Sequence, residues 1–266
     1  MSRPRAIALL SGGLDSTTLV YLLALADHAG VSHQPQQDQP SAVRGTYGLA
    51  REGYDLHVLL FDYGQRHKKE LAYAARTAQH LGVRYDVVDL SAVAFLLKGS
   101  SLTDEAIAVP DGHYTAPTMA LTVVPNRNAL LLSVAFAAAV SEQAEMVALA
   151  VHAGDHAIYP DCRPGFIAAF AAMQRLAVEG FGHPHLRLVA PFLHSTKQDI
   201  VTVGARLGVR FVDTWSCYKG GEQHCGTCGT CDERRRSFEL AGVPDPTTYV
   251  SPLSCDGETP EVAPGS

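Results

Sequence analysis

The chain lacks three features that would each mark a different class of protein. It has no excess of positive charge: 21 Lys and Arg stand against 27 Asp and Glu, a formal net charge of -6. It is therefore short of the clustered cations that hold a polynucleotide backbone. It has no long apolar run; the longest, Ala129 to Val140, falls well short of a membrane span and carries helical spacing. It has few cysteines, six in all, and four of them crowd between Cys217 and Cys231 instead of scattering as a disulfide framework would. The opening apolar run, Ala6 to Leu10, is too short for a signal-peptide core and ends in glycines. No internal repeat is visible. These absences predict no nucleic-acid partner, no membrane and a cytoplasmic protein.

What is present is ample for a core. The 266 residues are 47% hydrophobic and 18% charged, which suits one large α/β domain with or without a small appendage. Strand-like runs at Arg5 to Leu10, Leu56 to Phe61, Arg84 to Leu90, Met146 to Ala150 and Leu186 to Val189 alternate with helical spacing. The helical stretches begin near Asp15 and run over Lys68 to Leu81, Asn128 to Ser141, Phe166 to Val178 and Ser195 to Leu207. Gly82 is placed to cap the second helix in a left-handed conformation. Such alternation implies right-handed crossovers and a doubly wound, mainly parallel sheet, with ligands beyond the carboxyl ends of its strands. The composition over 31–53 predicts a mobile insertion, and the Pro- and Gly-rich 250–266 a poorly ordered tail. Lys98 to Thr122, without clear period, reads as an active-site loop. The expected division is 1–212 for a nucleotide-binding and catalytic domain and 213–249 for a metal-binding lobe.

Ser11-Gly12-Gly13-Leu14-Asp15-Ser16 lies between the first strand and the first helix. Glycines permit a turn whose amide hydrogens converge, and the helix adds its positive end. Ser11 and Ser16 supply hydroxyls. The pyrophosphate of ATP fits such a nest, with Leu10 to Thr17 as its lining and Asp15 as a carboxylate for Mg²⁺. An ordinary capped turn is the alternative. The glycines are followed by no Lys-Ser or Lys-Thr pair, which excludes a Walker-type loop.

Cys217, Cys225, Cys228 and Cys231 form C-x7-C-x2-C-x2-C. Four thiolates satisfy a tetrahedral Zn²⁺ with no open position, a structural site. Iron–sulfur ligation is the competing reading, but the x3-C-P that would complete a ferredoxin run is missing. Cys162 and Cys255 stand alone and read as inert.

SGGLDS resembles the signature of the PP-loop ATP pyrophosphatases, which cleave ATP between its α and β phosphates and adenylate a substrate. Five further stretches, FDYGQRH (61–67), VPNRN (124–128), YPDCRPGFI (159–167), TK-x-DI (196–200) and TWSCY with CGTCGTC (214–231), together resemble one branch, the 7-cyano-7-deazaguanine synthase family of queuosine biosynthesis. The resemblance runs from about Ala6 to Gly242. It implies an adenine-nucleotide hydrolase-like fold with a small C-terminal helical zinc lobe. The substrates it implies are a carboxy-deazaguanine, ammonia and ATP with Mg²⁺, and it adds one Zn²⁺ per chain and a homodimer. It also implies two adenylations at one site, first of the carboxylate and then of the amide.

On that basis Asp62, Tyr63 and Gln65 are candidates for adenosine, against a polar strand-end turn. Asn126, Arg127 and Asn128 are candidates for the substrate, against helix capping; the planar fork of Arg127 suits an anion. Tyr159, Asp161 and Arg163 are further substrate candidates, with Asp161 facing ring N–H donors. Lys197 is expected to stabilise charge at ATP or the adenylate. Ser195 and Gln198 read as a capping box, His67 as a capping or satisfied histidine, and Arg66 and Lys69 as solvated. Trp215 and Tyr218 either stack on a flat base or pack the metal lobe. Glu233 to Arg236 read as a solvated helix face.

Overall fold

The computed structural model describes residues 3–25, 53–114 and 117–251. Most of the 31–53 insertion, the tail after Ser251 and Cys255 lie outside the described residues.

Five strands, β1 (Arg5–Leu9), β2 (Asp55–Asp62), β3 (Arg84–Asp89), β4 (Met146–Ala148) and β5 (Arg187–Val189), form one sheet in the order β3-β2-β1-β4-β5. Every neighbouring pair is parallel. Among the described residues six α-helices accompany them: α1 (Leu14–Ala24), α2 (Lys69–Leu81), α3 (Arg127–Ser141), α4 (Pro164–Ala177), α5 (Lys197–Arg206) and α6 (Gly229–Ala241). The chain winds outward from β1 to β3, then returns to the far side of β1 for β4 and β5. The sheet reverses direction between β1 and β4, and there the two sets of following loops part to leave a crevice.

Alternation along β1 divides the core in two. Ala6 and Ala8 face α1, α2, α5 and α6. Ile7 and Leu9 face α3 and α4. A central parallel strand is buried on both faces, which is why β1 and β2, apart from their charged end residues, are buried residue after residue and are apolar except for His57, which pairs with Glu142. Each fully buried Leu or Phe on these faces stabilises the fold by roughly 1.5–3 kcal/mol relative to exposure.

Some observed boundaries are tighter than the periodicity suggests, while β2 extends one residue beyond each expected end. β1, β3 and β4 stop at Leu9, Asp89 and Ala148, so Leu10, Leu90 and Ala150 belong to the loops. Gly82 takes the left-handed conformation expected of it, with φ 63°. The cap of α5 is a correction: it is Thr196 with Asp199, not Ser195 with Gln198. The Thr196 hydroxyl accepts from the Asp199 amide, and the Asp199 carboxylate accepts from the Thr196 amide. Gln198 instead donates to the Leu240 carbonyl on α6 at 3.0 Å.

The reading of Glu233 to Arg236 as a solvated face holds for Arg236 and is corrected for Glu233 and Arg234. Arg234 is fully buried and donates to Thr214, Ser216 and the Phe211 carbonyl, with Asp245 as its counterion. Phe238 lies in the same core as α1 and α5. The cysteine-bearing segment is therefore packed into the body of the molecule across the expected boundary at residue 213.

Gly12 is where three elements meet. Its φ of 81° lies in the left-handed region, its carbonyl accepts from the Trp215 amide at 2.9 Å, and a Cβ there would come within 2.3 Å of the Glu70 carbonyl oxygen. Neither the strain nor the clash can relax without moving α2. Gly12→Ala is expected to cost about 2 kcal/mol or more in a urea unfolding curve.

Candidate active site

A cavity of about 200 Å³ opens at the β1/β4 crevice. Its floor is the turn after β1, with Leu10, Ser11, Gly13, Asp15 and Ser16 on the wall. Gly13 is extended and is the N-cap of α1, with no side chain closing the helix end. The Ser11 and Ser16 hydroxyls lie 3.0 Å apart, and Ser16 Oγ accepts from the Ser11 amide. The helix end is thus left open to the cavity with its positive pole uncovered, an arrangement suited to an anion. Gly12, Leu14 and Thr17 are not on the wall: Leu14 and Thr17 are buried and Gly12 is pressed against α2.

Beside this turn sits a buried cluster of charge. Lys197, the first residue of α5, places Nζ 2.6 Å from Asp15 Oδ2 and 3.3 Å from Glu233 Oε2. His152 Nε2 is also 3.3 Å away. The His152 tautomer follows from its other nitrogen: Nδ1 accepts from the Gly154 amide at 3.1 Å, so the proton resides on Nε2, which lies 3.4 Å from Asp155 Oδ1. A protonated Nε2 accepts nothing from Lys197. One ammonium proton is committed to Asp15, and Glu233 pairs with the ammonium by charge, so at least one of the three protons is free. Burial alone would depress the Lys197 ammonium, but Asp15, Glu233 and Asp155 together hold it above its ordinary value. The buried Asp15 Oδ1 has no partner. Burial pushes the Glu233 carboxyl up against the pull of Lys197 and His152.

The opposite wall carries Arg127 among tyrosines. Its guanidinium makes long contacts, to Tyr63 Oη at 3.3 Å and Asn128 Oδ1 at 3.4 Å, and its Nε is buried without a partner. No carboxylate pairs with it among the described residues. An unpaired buried cation is costly, and an anion in the cavity would relieve it. Burial pushes the Tyr63 phenol up to about 12 and raises Tyr114, Tyr159 and Tyr218 as well, so at neutral pH the whole aromatic wall is protonated. Tyr114 donates to Asp155 at 2.9 Å. Tyr159 donates to Thr122, whose own hydroxyl goes to the Met119 carbonyl.

Several sequence candidates are occupied elsewhere. Gln65 is buried and spent on the Tyr63 amide, the Phe61 carbonyl and Glu70. Asp62 accepts from the Gly64 amide and pairs with Lys68. Asp161 accepts from the Asn128 amide at the open end of α3. Arg163 donates to the His156 carbonyl, and Asn126 is the exposed, left-handed N-cap of α3. None of these five lines the cavity, whereas Tyr63, Arg127, Asn128 and Tyr159 do. Arg66 is not solvated, since it donates to the Asp104 and Ile107 carbonyls. Of the aromatic pair, Tyr218 reaches the cavity, while Trp215 packs on the cysteine cluster and donates to the Cys217 carbonyl.

Cavity residues that periodicity did not single out are His67, Glu70, Tyr114, Asp155, Cys162 and Glu233. Burial first, then Asp155 and Asp161, push the Cys162 thiol far up, which disfavours its thiolate. Glu233 had one available signal, its position two residues past the last cysteine of a helix-initiating ligand pair.

The four clustered cysteines bring their sulfurs within 4.8 Å of one another. Cys225 Sγ and Cys231 Sγ are 3.8 Å apart. Ligands about 2.3 Å from a tetrahedral ion stand about 3.8 Å apart, so the edge fits. The Thr227 and Cys228 amides donate to Cys225 Sγ and the Cys225 amide to Cys217 Sγ, which suits thiolate charge. The residues present fit one metal ion. Cys228 is also the N-cap of α6, and Cys231 lies in its first turn.

Comparison with known proteins agrees with this geometry. The family described as queuosine biosynthesis protein QueC matches residues 40–242. A 7-cyano-7-deazaguanine synthase from Ruegeria pomeroyi is 50% identical over 93% of this chain and 95% of its own length. One from Brucella anthropi is 50% identical over 92% and 93%. Among solved structures, NMN synthetase from Francisella tularensis aligns with 91% of this chain and 79% of its own at 12% identity and a TM-score of 0.46, too distant to bear on function. With half of its residues shared with these synthases over nearly its full length, the chain belongs to the queuosine biosynthesis protein QueC family.

Proposed function

We propose that the chain is an ATP-dependent carbon–nitrogen ligase that converts 7-carboxy-7-deazaguanine and ammonia to 7-cyano-7-deazaguanine, releasing AMP and diphosphate. Family membership supplies the substrate class. The observation that carries the reading to this chain's own residues is the two-ended cavity: an open helix end with Lys197 on one side, and an unpaired guanidinium, Arg127, on the other.

The amides and hydroxyls from Ser11 to Ser16 hold the triphosphate tail, and Arg127 receives the substrate carboxylate. A Mg²⁺ ion held by Asp15 with the phosphates would neutralise charge on the leaving diphosphate. A carboxylate oxygen attacks the α phosphorus, the bond to the diphosphate breaks, and an acyl-adenylate results. The free proton of Lys197 faces the charge that develops there. Ammonia displaces AMP to give the amide. The amide oxygen then attacks a second ATP in the same way, and nitrile forms as AMP departs with loss of the two amide protons. The Tyr63 phenol, protonated at neutral pH and only accepting from Arg127, donates a hydrogen bond to the flat heterocycle, and the aromatic wall surrounds it with apolar ring faces.

The cysteine site is assigned to Zn²⁺ in a structural role, since four thiolates leave no open position. The cytoplasm is the expected compartment, because a metal site of four thiolates persists where thiols stay reduced. A homodimer is part of the proposal; Leu176 and Phe181, both more than three-quarters exposed around the end of α4, offer apolar surface for it.

The direct test is mass spectrometry of products after mixing the chain with ATP, magnesium, ammonium and the carboxy-deazaguanine. Nitrile with two AMP per turnover is expected, and its absence with the protein folded would refute the reading. Asp15→Asn should keep the fold and lower AMP formation by about 100-fold or more. Arg127→Met should raise KM for the carboxylate substrate by about tenfold or more while leaving KM for ATP in place. Cys228→Ser should lose most bound zinc by plasma emission analysis and lower Tm by about 5–10 °C.

A further inference from the structure

We propose that Glu233 is a positioning residue for Lys197, and that through it the four-cysteine centre sets the geometry of the catalytic cavity. This inference rests on the ligase reading above. Glu233 is the cavity's one acidic residue from the cysteine-bearing segment, and its carboxylate is 14% exposed.

The argument starts from Lys197. Its side chain is 16% exposed and reaches the cavity from the first position of α5, where the Thr196–Asp199 capping box fixes the backbone. A long ammonium side chain has about four rotatable bonds and stays in one place only when its donors are held. Asp15 holds one proton at 2.6 Å, but Asp15 is also the residue placed to engage the metal and phosphates. When ATP arrives, that contact is diverted. His152 offers no substitute, because its Nδ1 lone pair is used by the Gly154 amide and its Nε2 carries a proton. Glu233 Oε2, at 3.3 Å, is the acceptor that remains.

The position of Glu233 is itself anchored. Cys228 caps α6 and Cys231 lies within its first turn, so two of the four metal ligands fix where this helix starts and how it is rotated. Glu233 follows Cys231 by two residues and projects between Lys197 and His152, 3.9 Å from His152 Nε2. Behind it, Arg234 is locked into Thr214, Ser216 and Asp245. Gln198 ties α5 to the far end of α6. The first two residues of α5 thus hold α6 toward both of its ends, with the Lys197–Glu233 contact at the cavity end.

A held ammonium and a free one make opposite kinetic predictions from mere damage. Without the Glu233 charge, Lys197 is free to collapse onto the ground-state triphosphate, and one negative charge near that triphosphate is gone. Ground-state ATP binding then tightens or stays level while the charge that develops at the α phosphorus loses its partner.

The test uses Glu233→Gln, which keeps the shape of the side chain, with the unaltered full-length protein assayed beside it. Zinc content and Tm are measured first and should match the unaltered protein. The expected kinetic result is a kcat lower by at least about tenfold with KM for ATP unchanged or reduced. In parallel, the rate at which Lys197 is acylated by an amine-reactive reagent, read by peptide mass spectrometry without nucleotide, should rise severalfold in the variant. An unchanged kcat would overturn the proposal. So would a fall in kcat accompanied by a raised KM and a lowered Tm, or an unchanged Lys197 acylation rate. If the unaltered protein makes no nitrile, the ligase reading fails, and the acylation rate still decides whether Glu233 holds Lys197.

Discussion

The Lys197 ammonium, buried between Asp15 and Glu233, is the contact on which the arrangement of this molecule turns. Asp15 belongs to the turn after the first strand, Lys197 to a helix 182 residues later, and Glu233 to the helix that two clustered cysteines initiate. One cation thereby joins the open helix end, the α5 side of the sheet and the cysteine-bearing segment. Losing either carboxylate leaves the ammonium paired with the other, whereas losing the lysine leaves both carboxylates uncompensated, so the knot constrains geometry more than it adds net stability.

The sheet explains why these three parts can meet. Its order reverses beside β1, so the loops after β1 and β4 diverge and leave a crevice lined from both cores. One end of that crevice is rich in amide hydrogens and anionic side chains around a lysine. The other has protonated phenols around an arginine without a counterion. A ligand carrying phosphate at one end and a flat acidic heterocycle at the other is complementary to both. The cysteine site closes the third side, with Tyr218 next to Cys217 and Thr230 between Cys228 and Cys231 also on the wall.

The parallel, doubly wound sheet and its five strands were legible because strand and helix spacing alternate without a break. The glycine turn after β1 and the cysteine cluster were legible for a related reason: each is written in residues close together in the chain. What was not legible depended on who else competes for a polar group. Gln65 and Asp161 stand at strand and helix ends where ligands gather, yet backbone amides claim them first. Ser195 and Gln198 matched a capping pattern one residue out of register with the true Thr196–Asp199 pair. Glu233 and Arg234 sit in a charged run that looks like a solvated helix face, and only the packing of α5 along α6 turns that face inward. The Gln65 and capping differences arise from contacts within four residues, whereas those at Asp161, Glu233 and Arg234 arise from contacts between residues distant in the chain, which local spacing does not encode.

The most direct measurement of the central claim is a crystal structure of the full-length protein with ATP and magnesium bound. The account places the phosphate tail on the amides from Ser11 to Ser16, with Asp15 turned toward the metal and Lys197 still held by Glu233. Nucleotide bound elsewhere, or a phosphate turn that stays closed to it, would contradict the account.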